Sequence, residues 1–218
     1  MSTATSSTLE SQTVTARRMF ALDLFERVLI VGLFVWLSVR ILSSADGATQ
    51  IPNLLMLLSE GLVVLLVMIR RPATDVSQRP RDWAFALSAT AAPLLVQPGN
   101  GYHLVPPVCA ALLLLMGILI QIHAKLVLGR SLGCVPANRG IKLTGPYRFV
   151  RHPMYAGYLL GHVAFLLMNP LPWNLLVYLV CYSLQVPRLL AEERLLSRED
   201  RYAAYMQAVR YRLFPGVF

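Results

Sequence analysis

Six apolar runs, at residues 21–42, 51–69, 83–96, 104–128, 154–168 and 171–186, alternate along the chain with short polar segments rich in arginine. A helix rises about 1.5 Å per residue and needs about 20 residues to cross a hydrocarbon core of roughly 30 Å, so the first, second and fourth runs are long enough to span one. The other three are shorter, Pro93 interrupts the third, and they are expected as packed or tilted helices. Between the last two lies Asn169-Pro-Leu-Pro172. Proline donates no backbone hydrogen bond and disfavours helix in the residue before it, so a turn is predicted there with a helical hairpin around it. From about Glu192 to Arg210 charged and apolar residues mix, ahead of Pro215, which predicts a cytoplasmic amphipathic helix that folds under the bundle as a lid. The fold class read from this pattern is an all-α integral membrane protein with about six transmembrane helices, the last two a hairpin.

Composition agrees with the pattern. Of the 218 residues 56% are hydrophobic and 14% charged, too apolar a balance for a soluble domain of this size. Lysine and arginine accumulate in cytoplasmic loops. Here they fall on one side: Arg17, Arg18 and Arg27 before or in the first run, Arg70, Arg71, Arg79 and Arg81 in the second loop, and Arg130, Arg139, Lys142, Arg148 and Arg151 in the fourth. Arg188, Arg194, Arg198, Arg201, Arg210 and Arg212 follow in the C-terminal segment, whereas the first, third and fifth loops carry almost no cations. Both termini are thus predicted cytoplasmic, and the net charge of +9 reads as topology plus attraction to anionic membrane lipids. No aromatic and basic platform for nucleic acid is present.

Three regions are expected: a disordered cytoplasmic tail at 1–20, N-terminal transmembrane helices at 21–100, and a core at 101–218 carrying the site and its lid. The tail is Ser/Thr-rich over its first 16 residues. Ala16-Arg-Arg-Met-Phe20 is not read as an export signal, because Asp23, Glu26 and Arg27 enter the run behind it. Cys109, Cys134 and Cys181 lack metal or CxxC spacing and read as free thiols, and four scattered histidines predict no metal site.

Polar chemistry concentrates at Gly145-Pro-Tyr-Arg-Phe-Val-Arg-His-Pro-Met-Tyr155, directly before the fifth run. Pro153 suits a first helical turn, which puts Arg151 and His152 at a helix N-terminus, where free N–H groups and the helix dipole favour an anion. The same arginines in isolation would snorkel to lipid headgroups. Tyr147 and Tyr155 flank the pair and offer faces to a heterocycle or a cation. At the far end of the hairpin Arg188 and Glu192 stand four residues apart on one helix face, with Glu193 beside them. Two charged clusters therefore bracket one hydrophobic hairpin at a membrane edge.

These residues carry a resemblance. Arg139-Gly-Ile-Lys-Leu-Thr-Gly-Pro-Tyr147, Arg151-His-Pro-Met-Tyr155, Arg188 with Glu192-Glu193 and Leu196, then Tyr202, Tyr205, Val209, Arg210 and Pro215 resemble the isoprenylcysteine carboxyl methyltransferase family, membrane S-adenosyl-L-methionine enzymes related to phospholipid methyltransferases. The resemblance covers about residues 125–218. It implies that S-adenosyl-L-methionine lies against Arg139, Gly140, Ile141, Lys142, Tyr147, Arg151, His152, Pro153, Met154 and Tyr155, with Glu192 also holding it, and that Arg188 orients the methyl acceptor. At Arg139-Gly-Ile-Lys142 the chain departs from relatives, which commonly have a His followed by Leu-Val. The implied reaction is methyl transfer to a lipophilic acceptor, the carboxylate of a prenylated cysteine first, with a phospholipid amine, a small thiol and an isoprenoid acid also open.

Glu60, within the second run, reads either as a residue lining the acceptor path or as a structural hydrogen-bonding group. Gln121, His123 and Lys125 approach the cytoplasmic end of the fourth run near the cofactor residues, and His162 reads as an interhelical histidine. No GxGxxG follows a strand, which excludes a soluble Rossmann methyltransferase domain. Two other classes share this layout: an NADPH-dependent membrane reductase of the sterol-reductase type, and a non-catalytic membrane scaffold or transporter. The absence of an inverted repeat weighs against the transporter.

Overall fold

A computed structural model describes the backbone of residues 2–43, 50–97 and 101–217, and side chains from residue 17, with those of 50–53 excluded. The first loop at 44–49 and the expected regional boundary at residue 100 lie outside the described residues. Seven α-helices carry the fold among the described residues: α1 (Ser2–Ser43), α2 (Gln50–Met68), α3 (Pro80–Ala91), α4 (Pro107–Leu128), α5 (Pro153–Met168), α6 (Pro172–Leu196) and α7 (Asp200–Ala208). Four of them, α3 to α6, start on proline in the first turn, where the missing N–H has no intrahelical partner to lose. α4 stops at Gly129, whose φ of 50° suits a residue without Cβ.

Two helical stretches, Pro107–Ser131 and Pro172–Leu196, are long and apolar enough to cross a membrane, and Leu54–Met68 and Pro153–Met168 are shorter apolar helices. Leu112, Leu119 and Leu126 stand exposed seven residues apart on α4, an apolar face with no protein against it among the described residues.

α4 and α5 are the most closely packed pair. A Cβ added at Gly157 would lie 2.7 Å from the Gly117 carbonyl oxygen and 2.7 Å from Gln121 Cγ, and one at Gly117 would lie 2.7 Å from the Gly157 oxygen. Such small-residue seams let membrane helices approach backbone to backbone. α6 packs instead on α3, α2 on both α1 and α4.

The expected turn between the last two apolar runs is present at Asn169–Pro172, with α5 and α6 on either side of it. The two helices do not pack closely on each other. Large side chains fill the space between them: Tyr155 reaches Glu192, His152 reaches Glu193, and His162 stacks on Tyr178 at 4.7 Å and bonds the Tyr182 hydroxyl at 2.8 Å. At the end away from these charges, the buried Asn174 amide bonds both backbone groups of Gln97 and the Asn169 carbonyl, closing the turn onto the segment after α3.

Two boundaries differ from the sequence reading. α1 begins at Ser2, so the chain is helical through the segment expected as a disordered tail; no proline or glycine occurs before Gly32 to stop a helix propagating outward from the apolar run. The helix expected from about Glu192 to Arg210 is split. α6 runs through Pro187 to Leu196, its end is closed by Ser197 N–H on the Glu193 carbonyl at 2.8 Å, and α7 starts afresh at Asp200.

At the charged end a two-residue antiparallel ladder, β1 (Asp75–Val76) with β2 (Ala137–Asn138), joins the segment after α2 to the segment after α4. Asn138 extends it by bonding Glu199, and Arg198 pairs with Asp75 at 2.5 Å, so the start of α7 is fastened to the same end.

Candidate active site

The charged end contains a cleft of about 70 Å³. The strip 131–142 after α4, the first turn of α5, the last turns of α6 and the inner side of α7 form its walls. Ten of the eleven residues that the sequence singled out for a cofactor line it: Arg139, Gly140, Ile141, Lys142, Tyr147, Arg151, His152, Met154, Tyr155 and Glu192. Pro153 does not; it is buried in the first turn of α5, where it sets the helix start. Leu128, Ser131, Gly133, Tyr202 and Tyr205 also line the cleft. The tyrosines of α7 could have been found from the family resemblance, whereas the 131–133 strip carries no motif.

Glu192 is half-buried, and its Oε2 accepts from the Tyr155 hydroxyl at 3.3 Å. Tyr155 stacks on His152 with ring centroids 5.6 Å apart. His152 Nε2 meets Glu193 Oε1 at 3.1 Å, and the same carboxylate takes Arg151 Nε at 2.9 Å and Arg212 Nε at 3.0 Å. Glu193 is thus a buried clasp that holds α5, α6 and the C-terminal segment together.

That clasp revises the expected anion site. The backbone N–H groups of Arg151 and His152 already donate to the carbonyls of Tyr211 at 3.0 Å and Arg212 at 2.8 Å. The N–H groups that α5 offers from its first turn are those of Met154 and Tyr155, since Pro153 has none and Ala156 bonds the His152 carbonyl.

On the roof, the Tyr205 hydroxyl donates to the Tyr147 carbonyl at 2.6 Å, and Tyr202 leans on Tyr205 with centroids 5.5 Å apart. Burial holds the Tyr147 hydroxyl well above its ordinary pKa, with the neighbouring Glu192 charge adding to it. Burial likewise raises Tyr202, and pushes Tyr205 up to about 12. These phenols are therefore neutral at physiological pH and act as donors and aromatic faces, not as bases.

Arg139 is buried and reaches away from the cleft toward α1, where its NH2 meets Glu26 Oε2 at 3.4 Å. Burial lowers its pKa, opposed by the Glu26 charge. A Cβ at Gly133 would overlap its guanidinium, so the glycine leaves room for it. Its buried Nε has no hydrogen-bond partner among the described residues.

Glu26 is the residue that the sequence reading passed over. It is 0% exposed; its Oε1 accepts from the N–H of Cys134 at 2.6 Å and of Val135 at 3.3 Å, and Arg70 sits 2.7 Å away. α1 thereby pins the strip that forms one wall of the cleft. An acidic residue inside an apolar run was the available signal.

Arg188 and Glu60, expected to contact the acceptor, do not line the cleft. Arg188 donates to the Cys134 carbonyl from Nε at 3.1 Å and from NH2 at 2.8 Å, and to Thr90 and Gln185 from NH1 at 3.3 Å each. Its guanidinium lies over the Tyr155 ring, 5.2 Å from the centroid. Arg188 thus backs the cleft wall through Tyr155. Glu60 pairs with Lys125 Nζ at 3.0 Å and accepts from the Tyr158 hydroxyl at 3.1 and 3.2 Å. Lys125, 0% exposed, also donates to Ser59 Oγ at 2.8 Å and approaches the Gln121 amide oxygen at 3.4 Å. Gln121 and Lys125 thus join Glu60 inside the bundle, while His123 is exposed.

The arrangement is a small polar cleft at a helix N-terminus, rich in tyrosine, with one lining carboxylate and a roof that hydrogen bonds hold in place. Residues 106–201 match the model of a family described as phospholipid methyltransferase, the family that includes the isoprenylcysteine carboxyl methyltransferases. The matched segment runs from the start of α4 into α7 and contains the ten expected cofactor residues that line the cleft, while Tyr202 and Tyr205 fall just beyond it. No curated protein matches the chain.

Proposed function

We propose that this protein, whose residues 106–201 match the model of the phospholipid methyltransferase family, takes the methyl group from S-adenosyl-L-methionine held in the cleft and delivers it to a lipophilic acceptor at a membrane. The observation that carries the proposal is the convergence of Glu192, Tyr155, Met154 and the 139–142 strip on one cleft at the mouth of α5. Their chemistry fits the cofactor. The first-turn N–H groups of Met154 and Tyr155 suit its carboxylate, Glu192 suits its ammonium or ribose hydroxyls, and the neutral faces of Tyr147, Tyr202 and Tyr205 suit an adenine ring or a cation. When bound, S-adenosyl-L-methionine supplies an electrophilic methyl group on a sulfonium.

A cleft of about 70 Å³ is smaller than the roughly 300 Å³ of a small-molecule site, so admission of a nucleoside calls for the walls to part, which α7 can do by releasing the Tyr205–Tyr147 hydrogen bond. Once α7 closes again, the residues act by positioning and by exclusion of water, which suffices for an in-line displacement on an acceptor that is already anionic. We read the protein as multi-pass, with about six crossings and both termini cytoplasmic, because the cationic loops all meet at the cleft end.

The acceptor proposed first is the carboxylate of a prenylated cysteine or a similar group, oriented by Arg188. Arg188 would have to exchange its bonds to the Cys134 carbonyl for the acceptor. That requirement favours a phospholipid amine as the second reading, since Glu192 stands in the cleft as a carboxylate able to meet an ammonium. Methyl-labelled S-adenosyl-L-methionine, offered to the protein in lipid nanodiscs with farnesylcysteine or with phosphatidylethanolamine, tests both. Base-labile label on farnesylcysteine, reduced about tenfold or more in Arg188→Gln, is the expected result. Base-stable label in the lipid would select the amine, and transfer to neither would contradict the assignment.

A further inference from the structure

The end of α6 has two working faces. Glu192 and Leu196 line the cleft already described, while Ala191, Arg194, Leu195 and Arg198 line a second one, of about 140 Å³. Its other walls are β1, residues 77–79 and the start of α3. The charges in it are unevenly committed. Its two carboxylates are engaged, Asp82 by the Ser77 hydroxyl at 2.5 Å and Asp75 by Arg198 at 2.5 Å. Arg79 and Arg194 are exposed, and their side chains have no hydrogen-bond or ion-pair partner among the described residues. The second cleft therefore presents two unpaired guanidinium groups, and its three arginines outnumber its two carboxylates, one of which is paired with Arg198.

Directly along α6 from Arg194, on the same helical face, lie Leu190, Val186 and Leu179, all exposed. A cationic cleft at the rim of an apolar stripe has the profile of a phospholipid: phosphate above, acyl chains beneath. Unpaired guanidinium groups bind phosphate oxygens bidentately, and the excess of arginine over carboxylate favours an anionic headgroup over a zwitterionic one, whose ammonium it repels. We propose that this second cleft is a binding site for the headgroup of an anionic phospholipid, with its chains laid along Leu190, Val186 and Leu179. The proposal is independent of which methyl acceptor the first cleft takes.

Trp83 supplies a reporter, because its Nε1 donates to the carbonyl of Ser77, a residue of this cleft, at 2.8 Å. The full chain carrying Trp36→Phe and Trp173→Phe keeps Trp83 as its tryptophan. In nanodiscs at physiological salt, brominated-chain phosphatidylglycerol should quench Trp83 with a relative association constant about tenfold above that of brominated-chain phosphatidylcholine. Arg79→Gln with Arg194→Gln should bring that ratio to about 1, whereas Arg210→Gln, which lies outside the cleft, should leave it near ten. Equal quenching by the two lipids, or a preference that survives the double substitution, overturns the proposal. Relief of quenching by inorganic phosphate at matched ionic strength also overturns it, in favour of a soluble phosphate ligand. Should the glutamine pair fail to fold, Arg79→Ala and Arg194→Ala taken singly must each lower the ratio.

Discussion

Glu26 and Glu193 are buried carboxylates that do for this site what backbone regularity cannot: each gathers groups from distant parts of the chain. Glu26 holds the peptide N–H groups of Cys134 and Val135, and the Cys134 carbonyl in turn holds Arg188 beneath Tyr155. Removing Glu26 leaves buried Arg139 without its nearest carboxylate and the Cys134 and Val135 N–H groups without their acceptor, while Arg70 keeps Asp23, so Glu26→Ala should destabilise the fold by about 3–5 kcal/mol, measured by thermal or denaturant unfolding in detergent. A change below about 1 kcal/mol would show that the cluster is solvated. The lining residues were legible in the sequence because the Arg151-His-Pro-Met-Tyr155 block and Glu192 carry chemistry on their side chains. Glu26 was marked only as an acidic residue inside an apolar run; its role was not legible, since the main-chain amides it holds lie more than a hundred residues away and nothing in local spacing points to them. The expected role of Arg188 came from the family resemblance and that of Glu60 from an ionisable residue inside an apolar run, and the structure gives both side chains internal partners.

The helices themselves were readable from apolar run length and from the prolines that open α3 to α6; their pairing was not. The glycine positions decide it, because Gly157 can approach Gly117 of α4, whereas the large side chains of Tyr155 and His162 stand between α5 and α6. Gly157→Val would put side-chain atoms where backbone and Gln121 now stand, and should cost about 1–3 kcal/mol or more while moving Gln121 beside the Lys125–Glu60 pair. Loss of the folded species in detergent size exclusion and thermal melting would report it. An unchanged melting temperature would contradict the seam. The continuous charged helix expected at 192–210 is split although the side-chain pattern there is helical throughout; the break at Ser197–Glu199 coincides with tertiary bonds of Arg198 and Glu199 to Asp75 and Asn138.

For the whole molecule, the proposed arrangement sets the ladder, both clefts and the arginine-rich loops at one membrane face. Cysteines introduced at exposed Arg81 and Arg201 should thus react with a membrane-impermeant thiol reagent only from the cytoplasmic side, and one introduced at exposed Tyr102 only from the opposite side. Labelling of Arg81→Cys and Tyr102→Cys from the same side would refute the crossing of α3, the helix between them. The central claim is narrower, that the cleft at the mouth of α5 binds a sulfonium nucleoside through Glu192. Calorimetric titration of the purified protein with S-adenosyl-L-methionine, S-adenosylhomocysteine and NADPH, beside Glu192→Gln, addresses it most directly. The account predicts binding of the first two, weakened about 10- to 100-fold in the variant through loss of a charge-assisted hydrogen bond, and none of NADPH. Binding of NADPH alone, or none of the three, would contradict it.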